Sequence, residues 1–173
     1  MRTSPISHLS VLAVLATLLL GCGKEIGDPC IVSSDCSPNG DRQCDIASKE
    51  GYCTIQGCDY STCPEEAACI RFFTGNFANR ACDPVSEDEP NGGDDCSFDE
   101  LCALAGHCVP RSAEVRYCMR TCESDEDCRS GYECRTLELM KEHGGQPVLA
   151  PGIAIDETSP RFCASRPAAT STP

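Results

Sequence analysis

Apolar side chains are scarce in this chain once its first 21 residues are set aside. Leu, Ile, Val and Phe number 22 among the 152 residues from Cys22 to Pro173, and 27 acidic against 13 basic side chains leave that stretch at −14. Low apolar content with high net charge marks chains that cannot bury enough surface to fold unaided. Clustered Lys and Arg are missing too, which excludes nucleic acid and electrostatic attraction to anionic headgroups. There is no C-x2-C step for a zinc knuckle, an iron-sulfur cluster or a redox dithiol. Only His107 and His143 could serve as general bases near neutral pH, and neither sits in a nucleophile or metal motif. His107 reads as part of a tight loop and His143 as part of a surface turn. No enzyme activity, cofactor or metal is expected.

No segment is long and apolar enough to span a bilayer, which takes about 20 residues, and the longest apolar run is Leu9–Leu20. That run of 12 follows Arg2 and precedes Gly21-Cys22, the layout of a secretory signal over residues 1–21. Leu19-Leu20-Gly21-Cys22 resembles the lipobox of bacterial lipoproteins. The resemblance implies a diacylglyceryl thioether, commonly with further acylation such as palmitate, on Cys22 after cleavage. The membrane is then a partner through the anchor, because two or three acyl chains hold where one does not. Gly23 is not the Asp that retains enterobacterial lipoproteins at the inner membrane, so the outer membrane of the cell envelope is the expected place.

Cysteine is what the chain has in abundance. There are 17, an odd number, and lipidation of Cys22 would leave 16 for up to eight disulfides in an oxidising compartment. They fall into four groups of four: Cys30, Cys36, Cys44, Cys53; Cys58, Cys63, Cys69, Cys82; Cys96, Cys102, Cys108, Cys118; Cys122, Cys128, Cys134, Cys163. This spacing is an internal repeat. It predicts a lipid-anchored tether over 22–29, module one over 30–82, an acidic linker over 83–95, module two over 96–163 and a disordered tail over 164–173, with no bridge crossing the linker. Ile70–Phe73 and Phe77–Ala81 suggest a β-hairpin around Thr74-Gly75-Asn76. First-with-third and second-with-fourth pairing is the compact choice within a group. The fold class is small and disulfide-rich, made of short β-hairpins and loops with little helix.

Cys122-Glu-Ser-Asp-Glu-Asp-Cys128-Arg-Ser-Gly-Tyr-Glu-Cys134 resembles the Ser-Asp-x-Asp-Cys repeats of cysteine-rich lipoproteins common in myxobacteria, and Cys30-Ile-Val-Ser-Ser-Asp-Cys36 is a looser copy. The pattern is also similar to the first cysteines of Dickkopf-type and whey-acidic-protein modules, without their adjacent Cys-Cys pair. The resemblance implies an extracellular binding or protease-inhibiting unit.

Two segments carry candidate recognition residues. Val148, Leu149, Ile153 and Ile155 belong to the most apolar stretch of the mature chain, either a contact surface or the second module's core. Arg120, between Cys118 and Cys122, could be presented to a trypsin-like protease, or the segment is simply a connector. Eight carboxylates between residues 83 and 101 could bind calcium weakly or form a self-repelling linker, since no EF-hand spacing is present. The expected function is an anchored, non-enzymatic interaction or structural module for a protein or envelope ligand. A lipid-anchored protease inhibitor and a calcium-binding surface module are the alternatives.

Overall fold

Between the cysteines lie segments of a few residues, often aromatic and closed by Gly-containing turns, and these form short antiparallel strands. The computed structural model describes residues 23–75, 77, 80–87 and 95–167. In chain order they form α1 (Ser33–Cys36), β1 (Gln43–Asp45), β2 (Tyr52–Thr54), β3 (Ala67–Phe73), β4 (Glu100–Ala103), β5 (His107–Pro110) and β6 (Glu114–Arg120). β7 (Tyr132–Arg135), α2 (Leu137–His143), β8 (Gln146–Pro147) and β9 (Phe162–Ser165) complete them. β1–β2, β4–β5 and β7–β9 are two-stranded sheets, and β6-β3-β8 is three-stranded. The protein is thus a small disulfide-rich fold of short antiparallel strand pairs with little helix.

In all four sheets two cysteines are register partners: Cys44 with Cys53, Cys69 with Cys118, Cys102 with Cys108, and Cys134 with Cys163. None of these partners bridge each other. Each instead bonds a cysteine earlier in the chain: Cys30–Cys44 and Cys36–Cys53, Cys58–Cys69 and Cys63–Cys118, Cys82–Cys102 and Cys96–Cys108, Cys122–Cys134 and Cys128–Cys163. First-with-third and second-with-fourth pairing therefore holds in four units, but two of the units are not the expected ones. The second is Cys58, Cys63, Cys69 and Cys118, and the third, Cys82, Cys96, Cys102 and Cys108, is inserted whole between Cys69 and Cys118.

The expectation that no bridge crosses residues 83–95 does not hold, because Cys63–Cys118 and Cys82–Cys102 both do. Nor, among the described residues, do Ile70–Phe73 pair with Phe77, Arg80 or Ala81. All seven residues of β3 pair with the seven of β6, from Ala67↔Arg120 to Phe73↔Glu114. Loop entropy explains why this arrangement is tolerated. Lengthening a hairpin loop tenfold costs about 2 kcal/mol, less than a long ladder and a buried Ile70, at 0% exposure, return. Ala81 makes only an isolated bridge, to His107.

The carboxylate and hydroxyl groups that punctuate the repeat close its loops. Asp127, just before Cys128, accepts from the N–H groups of Glu123 and Ser124 at 2.9 and 3.0 Å. Asp35, just before Cys36, accepts from Ile31 and Val32 at 2.8 and 3.1 Å, and Thr62 before Cys63 accepts from Asp59 at 2.8 Å. Three residues after the first cysteine, Asp125 and Ser33 accept from the N–H of the third, Cys134 and Cys44. Such local bonds satisfy backbone donors at the start of single helical turns and within tight loops.

One core joins units one, two and four, built from Ile26, Tyr52, Ile70, Met119, Tyr132, Met140 and Phe162 with Cys58, Cys69 and Cys118 among them. Ile26 is fully buried in it. Residues 23–29 are accordingly no free tether: Gly27 N–H donates to Cys53 O and Cys53 N–H to Asp28 O, each at 2.9 Å. Apolar side chains are so few that the segment is recruited to the core. The expected tail also begins too early, since Ala164 and Ser165 complete β9 and Arg166 donates to Tyr132 O. Residues 168–173 and the expected signal over 1–21 lie outside the described residues. In the acidic linker Glu87 is buried and accepts from the N–H groups of Asp95 and Cys96, closing that loop on itself.

Candidate functional site

The long interval before Cys163 begins with a helix whose signals are local. Thr136 Oγ1 accepts from Leu139 N–H at its start, and Gly144, at φ 78°, ends it with an N–H to Met140 O. Arg135, on β7, reaches across to the carbonyls of His143 and Gly144 at 2.9 and 2.7 Å. A cation at the exposed carbonyl end of a helix is favourably placed. Burial pulls the Arg135 guanidinium below its usual range, and the neighbouring Glu133 charge opposes this.

Glu133 is buried between two partners, Arg135 Nε at 3.3 Å and His143 Nδ1 at 2.7 Å. Nδ1 faces the Glu133 carboxylate as its donor, and Nε2 stands 3.6 Å from the Glu142 carboxylate. His143 is therefore the last residue of α2, oriented by Glu133, and not part of a surface turn. His107, expected in a tight loop, is the first residue of β5.

The two histidines line the same cavity, of about 220 Å³, with Phe72, Phe73, Val109 and Met140. Gln146 at its edge is held by accepting from Leu104 N–H at 2.8 Å. Among the described residues its wall carries no hydroxyl, thiol or carboxylate. Chemically it can hold an apolar group beside imidazole edges. A smaller cavity, of about 130 Å³, lies between units one and four beside Tyr52, Arg120 and Arg129. There the Arg129 guanidinium stacks on Tyr132 at 4.2 Å and lies 5.6 Å from the Tyr52 ring centroid. It also donates to Lys49 O at 2.9 Å and to Gly51 O, so it binds the two units together.

The residues singled out for recognition separate. Arg120 ends β6, its N–H donating to Tyr52 Oη at 2.9 Å and its guanidinium meeting Glu25 at 2.9 Å. Cys118 and Cys122 bridge elsewhere, to Cys63 and Cys134, so the three residues between them form no closed inhibitory loop. Within the apolar stretch Val148 packs against the core, and its N–H donates to Cys69 O at 2.8 Å. Leu149 and Ile155 are half-buried, and Ile153 is exposed at 64%. The stretch thus divides between core and surface.

Among the described residues, groupings that could offer three metal-ligating side chains are all built on bridged cysteines, one with Glu87 added. Asp88, Glu89 and Asp94 of the calcium candidate lie outside the described residues, as does Cys22. No helix among the described residues is long and apolar enough to cross a membrane. No family model, curated protein or solved structure matches the chain.

Sequence reasoning missed both the regrouped units and the histidine cavity. A signal for the first was present. Tyr52, Tyr117 and Phe162 precede the fourth cysteine in three units, and in the regrouped third unit that position is His107. A ring before every fourth cysteine selects Cys108 and Cys118 over Cys82. Nothing in the spacing pairs His107 with His143.

Proposed function

We propose that this chain is a lipid-anchored protein of the bacterial cell envelope whose disulfide-built ectodomain binds or organises other envelope components without chemistry of its own. The observation that carries the reading is cysteine parity. Sixteen of the 17 cysteines pair in eight bridges, and the one left over, Cys22, is the cysteine of the Leu-Leu-Gly-Cys motif. A free thiol has little use in an oxidising compartment, whereas a thioether to lipid consumes it. Gly23 favours the outer membrane. The protein or envelope ligand would meet the surface around Ile153 and the histidine cavity, which are respectively exposed and apolar-lined.

The test is intact mass of the protein extracted from native membranes. Acylation at Cys22 with cleavage after Gly21 is expected, and Cys22→Ser should remain unprocessed or leave the membrane. Unchanged processing and attachment in that variant would exclude the anchor.

A further inference from the structure

A lipid anchor on Cys22 has a geometric consequence, because the residue after it is already part of the fold. A Cβ at Gly23 would stand 3.4 Å from Cys36 O. Lys24 O accepts from Arg42, Lys24 Nζ donates to Pro29 O at 2.6 Å, and Ile26 is buried. Consecutive Cα atoms are about 3.8 Å apart, so no spacer separates an acylated Cys22 from the α1 end of unit one. The body cannot stand away from the bilayer on a flexible stalk.

That end carries the exposed apolar side chains such a position requires. Ile31 is 83% exposed, Val32 52% and Ile46 78%. They surround one disulfide: Ile31 follows Cys30, Ile46 lies two residues beyond Cys44, and Cys30–Cys44 holds the two Cα atoms at 5.8 Å. Val32 caps the single turn of α1, whose other end, Cys36, touches Gly23. One helical turn rises about 5.4 Å, so the patch and the attachment point share one end of the molecule. The nearby Asp35 carboxylate is occupied by the N–H groups of Ile31 and Val32, and the Lys24 ammonium by Pro29 O.

We infer, resting on the lipid-anchor reading, that the α1 end of unit one is a membrane-contacting face, with Ile31, Val32 and Ile46 inserted among lipid acyl chains beside the anchor. Apolar side chains that cover no protein surface are then buried by lipid, and the ectodomain is held in one orientation, unit one down. The occupant is the phospholipid surface to which Cys22 is attached, since its acyl chains enter that surface about one helical turn from the patch.

The chain has no tryptophan, so a single introduced one reports alone. Full-length protein carrying Ile31→Trp, and separately Phe98→Trp, a fully exposed position in the third unit, is extracted from native membranes. Each is reconstituted in phosphatidylcholine vesicles with bromine on the acyl chains. Intact mass of the same preparations reports acylation. The expected result is acylated protein in which Ile31→Trp is blue-shifted and loses intensity to the bromines, while Phe98→Trp does neither. Acylated, vesicle-bound protein with equal emission at both positions would overturn the membrane-facing patch and leave the anchor standing. Protein without acyl mass would overturn the anchor and the patch together.

Discussion

Cys63 is bridged to Cys118, 55 residues further along the chain, and the loop it closes contains a complete two-bridge unit, Cys82–Cys102 with Cys96–Cys108. The expected consequence is visible in a non-reduced peptide map. Peptides containing Cys63 and Cys118 should co-elute as one species, and those containing Cys82 and Cys102 as another. Proteolysis between Asp83 and Asp95 should nick the chain without separating it until reductant is added. Two fragments released without reductant would contradict this topology.

Ile26 lies only four residues beyond Cys22 yet is fully buried in the shared core that also holds Tyr52 and Met119. Ile26→Ala should cost about 2–5 kcal/mol, the usual range for truncating a buried aliphatic side chain to alanine. Thermal unfolding of the oxidised protein measures it. A free tether would show no change.

Gly51 adopts φ 68°, and a Cβ there would stand 1.9 Å from Cys30 O and 2.9 Å from Cys44 Sγ. Gly51→Ala should therefore lower the yield of native Cys30–Cys44 pairing on oxidative refolding. Gly40, at φ 76° with nothing within 4 Å, is the control. Its alanine variant should fold with a loss of about 1–2 kcal/mol, the left-handed backbone cost alone. Equal yields for the two would remove the steric argument.

Backbone N–H donors hold the carboxyls of Asp35 and Asp127 below the usual value of 3.8. A carboxyl depressed in the folded state contributes stability that is present above its unfolded pKa and lost as pH falls through the folded value. The protein should therefore weaken below about pH 4, and Asp35→Asn with Asp127→Asn should flatten that acid limb. At the other extreme, burial raises the Tyr52 phenol, against a smaller opposing effect of the Arg120 N–H. A phenol raised on folding contributes stability below its unfolded pKa of about 10 that is lost as pH rises through the folded value. Ultraviolet titration should show Tyr52 ionising only with unfolding, and Tyr52→Phe should remove that late component. Unfolding curves with the same pH dependence in variants and parent would refute these assignments.

Much of this architecture is legible in the amino-acid sequence. Sixteen cysteines in a chain with 22 branched-aliphatic and phenylalanine side chains beyond Gly21 leave little but short strands tied by bridges. The spacing also predicts alternate pairing in groups of four, and Cys30–Cys44 with Cys36–Cys53 follows it without change. The Asp before Cys36 and Cys128 is visible as a motif, but its work in closing a loop depends on N–H directions that spacing does not contain.

What only the tertiary structure decided is which cysteine completes the second unit, and the reason lies in packing. Intervals between cysteines limit the bridges a segment can reach, yet both Cys82 and Cys118 are within reach of Cys63. The choice falls to β6, because pairing with β3 buries Met119 and Ile70 in one core and brings Thr54 Oγ1 to Cys118 O at 2.8 Å. The same long-range packing takes Ile26 out of its expected tether and places His107 and His143 on one cavity. Local spacing determines what can bridge, and burial of a few scarce apolar side chains selects among the possibilities.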